Sequence, residues 1–271
     1  MNEEKLSGAI GLAPGLLVAA VGGGGKTSLL RALGAECFAA GARPVVLSST
    51  THIFSPAPPE ETHLCLGEAG RLAARISGRQ PWTAPVTLAR RRVGETVVPG
   101  APHERKMKLR GFDSEEIEQF RRSEGALLVE ADGSRGLPVK APGPEEPVIP
   151  PGTDIVLGVV GLDALGSPLD EDHVFRPGRL SELIGLPAGA PIDAAAVARL
   201  AAHPEGLFRG APGGARRYII MNKCDKIDSM ENLERIGYII SKATLSPGGP
   251  ADGILFTECL PSGLRVVNRA P

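Results

Sequence analysis

A glycine-rich loop between an apolar strand and a helix is the feature that most restricts how this chain of 271 residues can fold. The apolar run at residues 16–21 leads directly into Gly22, Gly23, Gly24 and Gly25, followed by Lys26, Thr27 and Ser28. This spacing fits the phosphate-binding loop G-x-x-x-x-G-K-[ST], except that Ala20 stands where the first glycine usually lies. Glycines let backbone N–H groups wrap an anion, whose charge the N-terminus of the next helix also favours. In this interpretation Lys26 contacts the β- and γ-phosphates and Thr27 binds Mg²⁺, whereas the alternative is a flexible turn with a solvated lysine.

Charge and cysteine spacing exclude several classes of protein. The chain has 30 Lys and Arg against 31 Asp and Glu, a net charge of −1, which argues against a nucleic-acid coat protein or a polybasic membrane binder. The four cysteines are widely spaced and form no C-x-x-C pair, so we expect a reduced, cytoplasmic setting. The run at residues 16–21 is too short to span a bilayer. We therefore expect neither nucleic acid nor a membrane as a partner, and the sequence does not predict the oligomeric state.

Short apolar runs alternate with helical patterns along the chain. The predicted strands cover residues 16–21, 44–48, 126–130, 155–160, 217–221 and 254–256. The predicted helices cover residues 27–40, 66–77, 114–123, 194–202 and 229–243. Continuous apolar strands between helices indicate a mostly parallel sheet that is covered on both faces. We predict a P-loop NTPase-like, three-layer α/β sandwich, one nucleotide-binding domain over residues 1–271, with an antiparallel edge hairpin in residues 83–98 that turns at 91–94.

Acidic residues follow the strand predicted at residues 126–130. Glu130 ends this strand, and Asp132 and Gly133 complete the pattern E-x-x-G. Ligands of open parallel sheets bind at the carboxyl ends of the strands, where a carboxylate can hold Mg²⁺ and a glycine N–H can approach the γ-phosphate. Glu130 is therefore the first candidate for the metal and Asp132 the second. The alternative for either acid is a helix cap or a turn.

The strand predicted at residues 217–221 ends in the tetrad N-K-x-D, which comprises Asn222, Lys223 and, after one further residue, Asp225. In nucleotide-binding proteins this tetrad reads guanine, because the aspartate accepts hydrogen bonds from the ring N–H and the exocyclic amine while the lysine stem packs along the base. Adenine lacks this pair of donors, and a buried carboxylate without donors costs about 1–3 kcal/mol. GTP is thus the predicted nucleotide, with another NTP as the alternative. Asn222 and Asp225 could instead cap the helix that begins near Asp228.

Other side chains are candidates with open alternatives. Thr51 and His52 follow the second predicted strand and could face a substrate, or they could form a hydrogen-bonded turn. Arg135 could stabilise charge during phosphoryl transfer, and Lys140 could face a substrate, whereas surface solvation is the alternative for both. The basic run at residues 103–110 could receive an anionic ligand or protein, or it could be a solvated face.

Four strings of residues carry a resemblance to a known family. They are V-G-G-G-G-K-T-S at residues 21–28, T-T-H-I at 50–53, K-L-R-G at 108–111, and V-E-A-D-G-S-R-G at 129–136, which continues to K-A-P at 140–142. Together they resemble the YqeC family of accessory proteins for selenium-dependent molybdenum hydroxylases. The resemblance implies a P-loop fold, nucleotide binding and a partner that is a molybdenum hydroxylase or a cofactor-maturation protein. It implies no particular reaction.

These motifs together predict a Mg²⁺-dependent GTP-binding protein and slow GTPase, with Lys26, Glu130 and Arg135 as the catalytic candidates. The nucleotide contacts are assigned to Gly22, Gly23, Gly24, Gly25, Lys26, Thr27, Ser28, Gly133, Asn222, Lys223 and Asp225. The metal contacts are assigned to Thr27, Glu130 and Asp132, and the substrate-facing positions to Thr51, His52 and Lys140. Two alternatives stay open: a phosphotransferase that acts on a small acceptor, and a scaffold that keeps a nucleotide for stability alone.

Overall fold

The computed structural model describes residues 5–56, 63–78, 81–98, 101–260 and 263–269. Within this part of the chain, nine strands form the main sheet. In spatial order they are β14 (Gly263–Arg269), β13 (Gly253–Leu260), β12 (Arg216–Asn222), β10 (Ile155–Gly161), β1 (Leu17–Gly22), β8 (Ala126–Glu130), β2 (Val45–Ser49), β5 (Val86–Ala89) and β4 (His63–Leu66). All neighbouring strands are parallel except β13 and β14, which pair antiparallel. The carboxyl ends of β1, β8, β10 and β12 therefore meet at one edge of the sheet.

Helices cover both faces of this sheet. They are α1 (Leu6–Ala9), α2 (Lys26–Ala39), α3 (Ala69–Ser77), α4 (Ser114–Ile117), α5 (Pro177–Ile184), α6 (Ala194–Ala202) and α7 (Met230–Thr244), with 3₁₀ turns at Glu118–Phe120, Leu162–Ala164 and Cys224–Lys226. Val18 of β1 packs with α2 residues such as Leu30 on one face, whereas its neighbour Ala19 joins the core that α3, α6 and α7 cover on the other. Alternate strand residues thus serve two cores. The predicted three-layer α/β sandwich with a mostly parallel sheet is confirmed.

In the described ranges, two small sheets lie beside the main one. β3 (His52–Phe54), β7 (Ala101–Arg110) and β6 (Arg91–Val98) form an antiparallel sheet in that order, which we call the flap. β9 (Val139–Lys140) pairs with β11 (Val174–Phe175). None of the helices in the described ranges combines the length and the apolar character that a bilayer crossing requires.

The antiparallel pair at the edge of the main sheet is β13 with β14, and the hairpin predicted within residues 83–98 is wrong. Val86–Ala89 is buried at every position and runs parallel to β2 and β4 in the main sheet. Residues 91–98 pair instead with β7. Gly94, which we interpreted as part of the turn, has φ of 155° and lies at a shift in the pairing register, so it marks a β-bulge within a strand.

Candidate functional site

The glycine-rich loop packs tightly between neighbouring strand ends. Gly22, Gly24 and Gly25 have φ of 93°, 73° and 106°, in the region where side chains are strained. A Cβ on Gly24 would lie 2.2 Å from the backbone nitrogen of Gly161, and one on Gly23 would lie 2.7 Å from the carbonyl oxygen of Pro138. These glycines are therefore required by the packing of the protein itself, in addition to any ligand.

The first N–H groups of the loop donate to the protein. Gly22 N–H donates to Asp132 Oδ2 at 3.0 Å, and the next two N–H groups donate to backbone carbonyls of β10 and of the segment after Gly136. Leu29 is the first α2 residue whose N–H bonds back along the helix, to Gly25 O at 3.0 Å. The N–H groups of Lys26, Thr27 and Ser28 therefore have no acceptor within the helix. The donors available to an anion are those of the first helical turn, where the helix dipole also favours negative charge.

Lys26 belongs to a buried chain of alternating charges. Its Nζ donates to Gly22 O at 2.5 Å and lies 3.1 Å from Asp132 Oδ1. Asp132 Oδ2 lies 3.0 Å from Lys140 Nζ, which also lies 2.8 Å from Glu146 Oε2. Arg176 then donates to the same Glu146 oxygen at 2.6 Å. The phosphate-loop lysine is thus linked through three ion pairs to the loop after β9.

Lys140 was predicted to face a substrate, and the structure corrects this. Lys140 is 1% exposed, and its Nζ also donates to Gly133 O at 2.7 Å. Three acceptors occupy this ammonium group, so it has no surface to offer a substrate. Burial opposes ionisation of Glu146, but the hydrogen bonds from Arg176 and Lys140 outweigh it and lower the pKa of this carboxyl. Glu146 therefore holds its negative charge at neutral pH and keeps Lys140 in place.

Thr27 and Glu130 meet beside this chain of charges. The Thr27 hydroxyl donates to Glu130 Oε2 at 2.6 Å. Burial raises the pKa of Glu130, although the nearby charge of Lys26 and the Thr27 hydrogen bond oppose the rise. Asp132 Oδ1 forms the ion pair with Lys26 Nζ but accepts no hydrogen bond from the described residues. Hydroxyl and carboxylate oxygens suit Mg²⁺, which binds one or two protein groups together with phosphates, and no cluster of three metal-ligating side chains occurs in the part of the chain that is described. The residues present fit a magnesium ion held jointly with a nucleotide.

The residues of the predicted guanine tetrad take different positions. Asn222 is buried; its Nδ2 donates to Gly24 O at 2.7 Å and its Oδ1 accepts from Thr257 at 3.1 Å. Lys223 has φ of 64° and its Nζ lies 2.5 Å from Asp163 Oδ2. The Asp225 side chain is 45% exposed and lies 3.2 Å from Lys226 Nζ. Asn222 therefore braces the phosphate loop, whereas Asp225 is accessible to a ligand.

The other predicted residues lie at varied distances from this centre. Ser28 is exposed on the first turn of α2, and Gly133 has room for a Cβ. The Arg135 guanidinium lies over the ring of Phe175, 4.9 Å from its centroid. Thr51 is half-buried and its N–H donates to the hydroxyl of Ser49 at 2.9 Å.

His52 lies on the first strand of the flap, opposite Arg110. Burial and three nearby cations lower the pKa of His52, so the ring is neutral at pH 7.

Three charged partners in this region escaped the sequence prediction: Glu146, Arg176 and Asp163. Glu146 and Arg176 complete the ion pairs of Lys140, and Asp163 holds Lys223. A lysine inside the apolar string V-K-A is a signal that a buried acid must exist elsewhere. The sequence does not say which acid, because the partners come from segments that only the fold brings together.

A cavity of about 530 Å³ lies at the α6–α7 side of the tetrad, lined by residues that include Leu165, Asp193, Lys226 and Arg235. Neither Lys26 nor Glu130 lines it. The phosphate loop itself is closed, since Gly22, Gly23, Gly24 and Lys26 are all buried. The ammonium group of Lys26, already bonded to Gly22 O and paired with Asp132, is thus shielded from solvent, and an anion can contact it only if the loop opens.

The fold and the site define a three-layer α/β protein in which a glycine-rich loop joins a central strand to a helix that carries Lys26 and Thr27. The family model described as YqeC protein matches residues 18–178. Uncharacterized protein YqeC from Escherichia coli (strain K12) is 32% identical over 218 residues, which cover 79% of this chain and 78% of that protein. The chain therefore belongs to the YqeC family. No solved structure matches it.

Proposed function

We propose that this protein binds a Mg²⁺–nucleoside triphosphate at the start of α2, prefers GTP and hydrolyses it slowly. One observation carries the proposal: Lys26, Thr27 and Glu130 converge at the N-terminus of α2, and Thr27 and Glu130 are 2.6 Å apart. A lysine, a hydroxyl and a strand-end carboxylate around a helix N-terminus are the groups that nucleotide phosphates and their metal require.

The residues of the chain divide the work of binding. Lys26 exchanges Gly22 O for the β- and γ-phosphates, while Asp132 keeps its charge balanced through Lys140. The N–H groups of the first turn bind phosphate oxygens. Thr27 and Glu130 are the ligands that this chain offers to Mg²⁺, which would neutralise charge on the β- and γ-phosphates when bound. Arg135 serves as a charge-stabilising arginine only if its guanidinium leaves the ring of Phe175.

Guanine preference is assigned to Asp225. Its carboxylate is accessible, and it lies three residues after Asn222, whose amide holds Gly24 of the phosphate loop. The tetrad is thereby coupled to the phosphate site through one hydrogen bond. A carboxylate that accepts from the ring N–H and the amine of guanine has no equivalent donors in adenine, which supports GTP over ATP.

Titration calorimetry with GTP, ATP and CTP, each with and without Mg²⁺, tests the proposal. We expect Mg²⁺-dependent binding with GTP the tightest, abolished in Lys26→Ala and unchanged in Lys242→Ala, which removes an exposed lysine of α7. Tighter binding of ATP than GTP would contradict the guanine preference. Undiminished binding by Lys26→Ala would contradict the site. GTP hydrolysis that is lost in Glu130→Ala would exclude a scaffold without catalysis.

The cellular role that we propose rests on the family resemblance described above. It is an accessory role in the maturation of a selenium-dependent molybdenum hydroxylase or of its cofactor, with the nucleotide state controlling the step. The test is hydroxylase activity in cells that lack this protein. Wild-type protein should restore that activity and Lys26→Ala should not, whereas full activity without any YqeC protein would contradict the role.

A further inference from the structure

The flap presents a row of basic side chains on one face. Arg91 of β6 lies directly opposite Arg110 of β7, and Arg110 lies directly opposite His52 of β3. Lys108 lies two residues before Arg110 on β7 and therefore projects from the same face of that strand. We call Arg91, Lys108, Arg110 and His52 the flap row.

The flap row lies on the outward face of its sheet. Ile53 and Leu109, each one residue away from a member of the row, are buried against Ala89 of the main sheet. Successive strand residues point to opposite faces, so the row points away from this core. Arg91 and Arg110 are exposed, and His52 and Lys108 are half-buried.

The grouping of these cations destabilises the folded protein unless an anion binds among them. Like charges directly opposite each other in neighbouring strands are destabilising. Over the described ranges, no carboxylate pairs with Arg91, Lys108 or Arg110, although nearby cations do have such partners: Lys106 pairs with Glu104 at 2.8 Å and Arg90 pairs with Glu68 at 2.7 Å. The cations of the row are thus grouped without neutralisation, while their neighbours are neutralised within the fold.

The strand that carries His52 is attached to elements of the proposed phosphate site. β3 begins three residues after the end of β2, and the intervening Thr50 donates its N–H to Glu130 O at 3.1 Å. Arg31 of α2 holds the far end of β3 by donating to Phe54 O at 3.1 Å. The segment that leads into β3 is therefore attached to the main chain of Glu130, whose side chain is the strand-end carboxylate, and β3 itself is attached to the helix of the phosphate loop.

We propose that the flap row binds the phosphate or diphosphate group of a second small ligand, which is held beside the nucleotide. Neighbouring strands lie about 4.8 Å apart, so the outer strands of the flap are about 10 Å apart, a width that suits one or two phosphate groups. Arginine guanidinium groups match phosphate oxygens in pairs. A nucleic acid would need a longer basic stripe than three strands offer, and the net charge of −1 provides no general attraction for it. The role of this ligand as a second substrate or cargo rests on the proposed function, whereas its binding does not.

Inorganic pyrophosphate is the probe, and Lys26→Ala is the background, so that the phosphate loop does not contribute. Calorimetry should detect pyrophosphate binding to Lys26→Ala. Adding Arg91→Gln and Arg110→Gln should weaken that binding by about tenfold or more, since two charge-assisted contacts are lost. The matched control adds Arg92→Gln and Arg105→Gln, which remove two exposed charges from positions of the same strands that alternate with the row.

Three outcomes would overturn the proposal. They are absence of pyrophosphate binding to Lys26→Ala, an equal loss in the Arg92→Gln, Arg105→Gln control, and tighter binding of a short single-stranded DNA that the row variants abolish. The proposed function is tested separately by GTP binding to the wild type. If GTP fails to bind while pyrophosphate binds to the flap row, only the proposed function falls. If GTP binds as expected while the row variants leave pyrophosphate binding unchanged, only the second ligand falls.

Discussion

The two ends of the candidate site differ in how much of their charge the fold itself balances. At the phosphate end, Lys26, Asp132 and Lys140 are buried and paired with one another. At the base end, Asn222 is buried, but the Asp225 side chain is 45% exposed beside Lys226. The phosphate end is organised before a ligand arrives, so substitutions there should affect stability as well as binding. Substitutions at the base end should change the selectivity for the nucleotide base and have little effect on stability.

The largest expected effect belongs to Lys140, the centre of the buried charges. Lys140→Met removes the cation that Asp132 and Glu146 share, although Lys26 and Arg176 still pair with these acids. Breaking a buried ion pair by removing one partner costs about 3–5 kcal/mol. Denaturant unfolding should show a loss of this size in the free energy of unfolding. The control is Lys242→Met on the exposed surface of α7, for which a change within about 0.5 kcal/mol is expected. A loss below about 1 kcal/mol for Lys140→Met would mean that this network does not support the fold.

Substitutions at two glycines of the predicted site distinguish a role in packing from a role in ligand contact. Gly24→Ala adds a Cβ that would meet Gly161 N at 2.2 Å, at a φ of 73°, so we expect a loss of about 1–3 kcal/mol and impaired GTP binding. Gly133→Ala adds a Cβ that meets nothing within 4 Å, and the change in stability should stay within about 0.5 kcal/mol. Thermal unfolding and GTP titration of both variants provide the measurement. Equal stability of the two would show that the loop tolerates side chains.

The sequence predicted the residues around Lys26 and the bounds of two elements well, because the signals for them are local. Ala126–Glu130 and Ala194–Ala202 have the bounds that their apolar patterns predicted, since charged or polar residues stop each pattern. Lys26, Thr27, Glu130 and Asp132 also come together as the order of strand ends implied. These motifs depend on residues that are neighbours in sequence.

What the sequence missed depends on contacts between distant segments. Glu146 was not predicted as the partner of Lys140, because the geometry of a proline-rich loop decides which acid it meets. The pairing of β6 with β7 was missed because Gly94 can serve a turn or a bulge equally well from its own properties. Asn222 was assigned to a ligand, and only the fold shows that its amide is already engaged with Gly24.

Glu130 should show opposite effects on stability and on metal binding. Because the pKa of Glu130 is raised in the folded protein, folding favours the protonated carboxyl. The free energy of unfolding therefore falls as pH rises above the ordinary pKa of a glutamate. Glu130→Gln keeps an acceptor for Thr27 without the charge, so it should raise the melting temperature at pH 7 in the absence of Mg²⁺. It should also weaken Mg²⁺-dependent GTP binding by about tenfold or more, the lower bound for losing a partner in a metal site.

The pH profile is the control for this variant. The stabilisation by Glu130→Gln should shrink as pH falls and vanish below the ordinary pKa of a carboxyl, where the wild-type group is protonated in both states. Stabilisation that stays constant from pH 5 to pH 8 would show that the gain comes from packing. Retention of full Mg²⁺ dependence would remove Glu130 from the metal site.

The smallest effect on stability, and the most selective effect on binding, is expected at Asp225. Asp225→Asn replaces one acceptor oxygen by a donor, so a guanine N–H loses a hydrogen bond to a charged group, worth about 1.5–3 kcal/mol or about tenfold to a hundredfold in affinity. Binding of ATP should change little, because adenine offers no matching donor pair. Stability should remain within about 0.5 kcal/mol of the wild type, since the side chain is exposed.

The measured quantity is the ratio of the GTP and ATP dissociation constants, with Asp228→Asn as a matched control on an exposed aspartate three residues further along. A ratio that falls in Asp225→Asn but not in Asp228→Asn would assign base selection to the exposed end of the site. Equal ratios in both variants would show that Asp225 does not select the base.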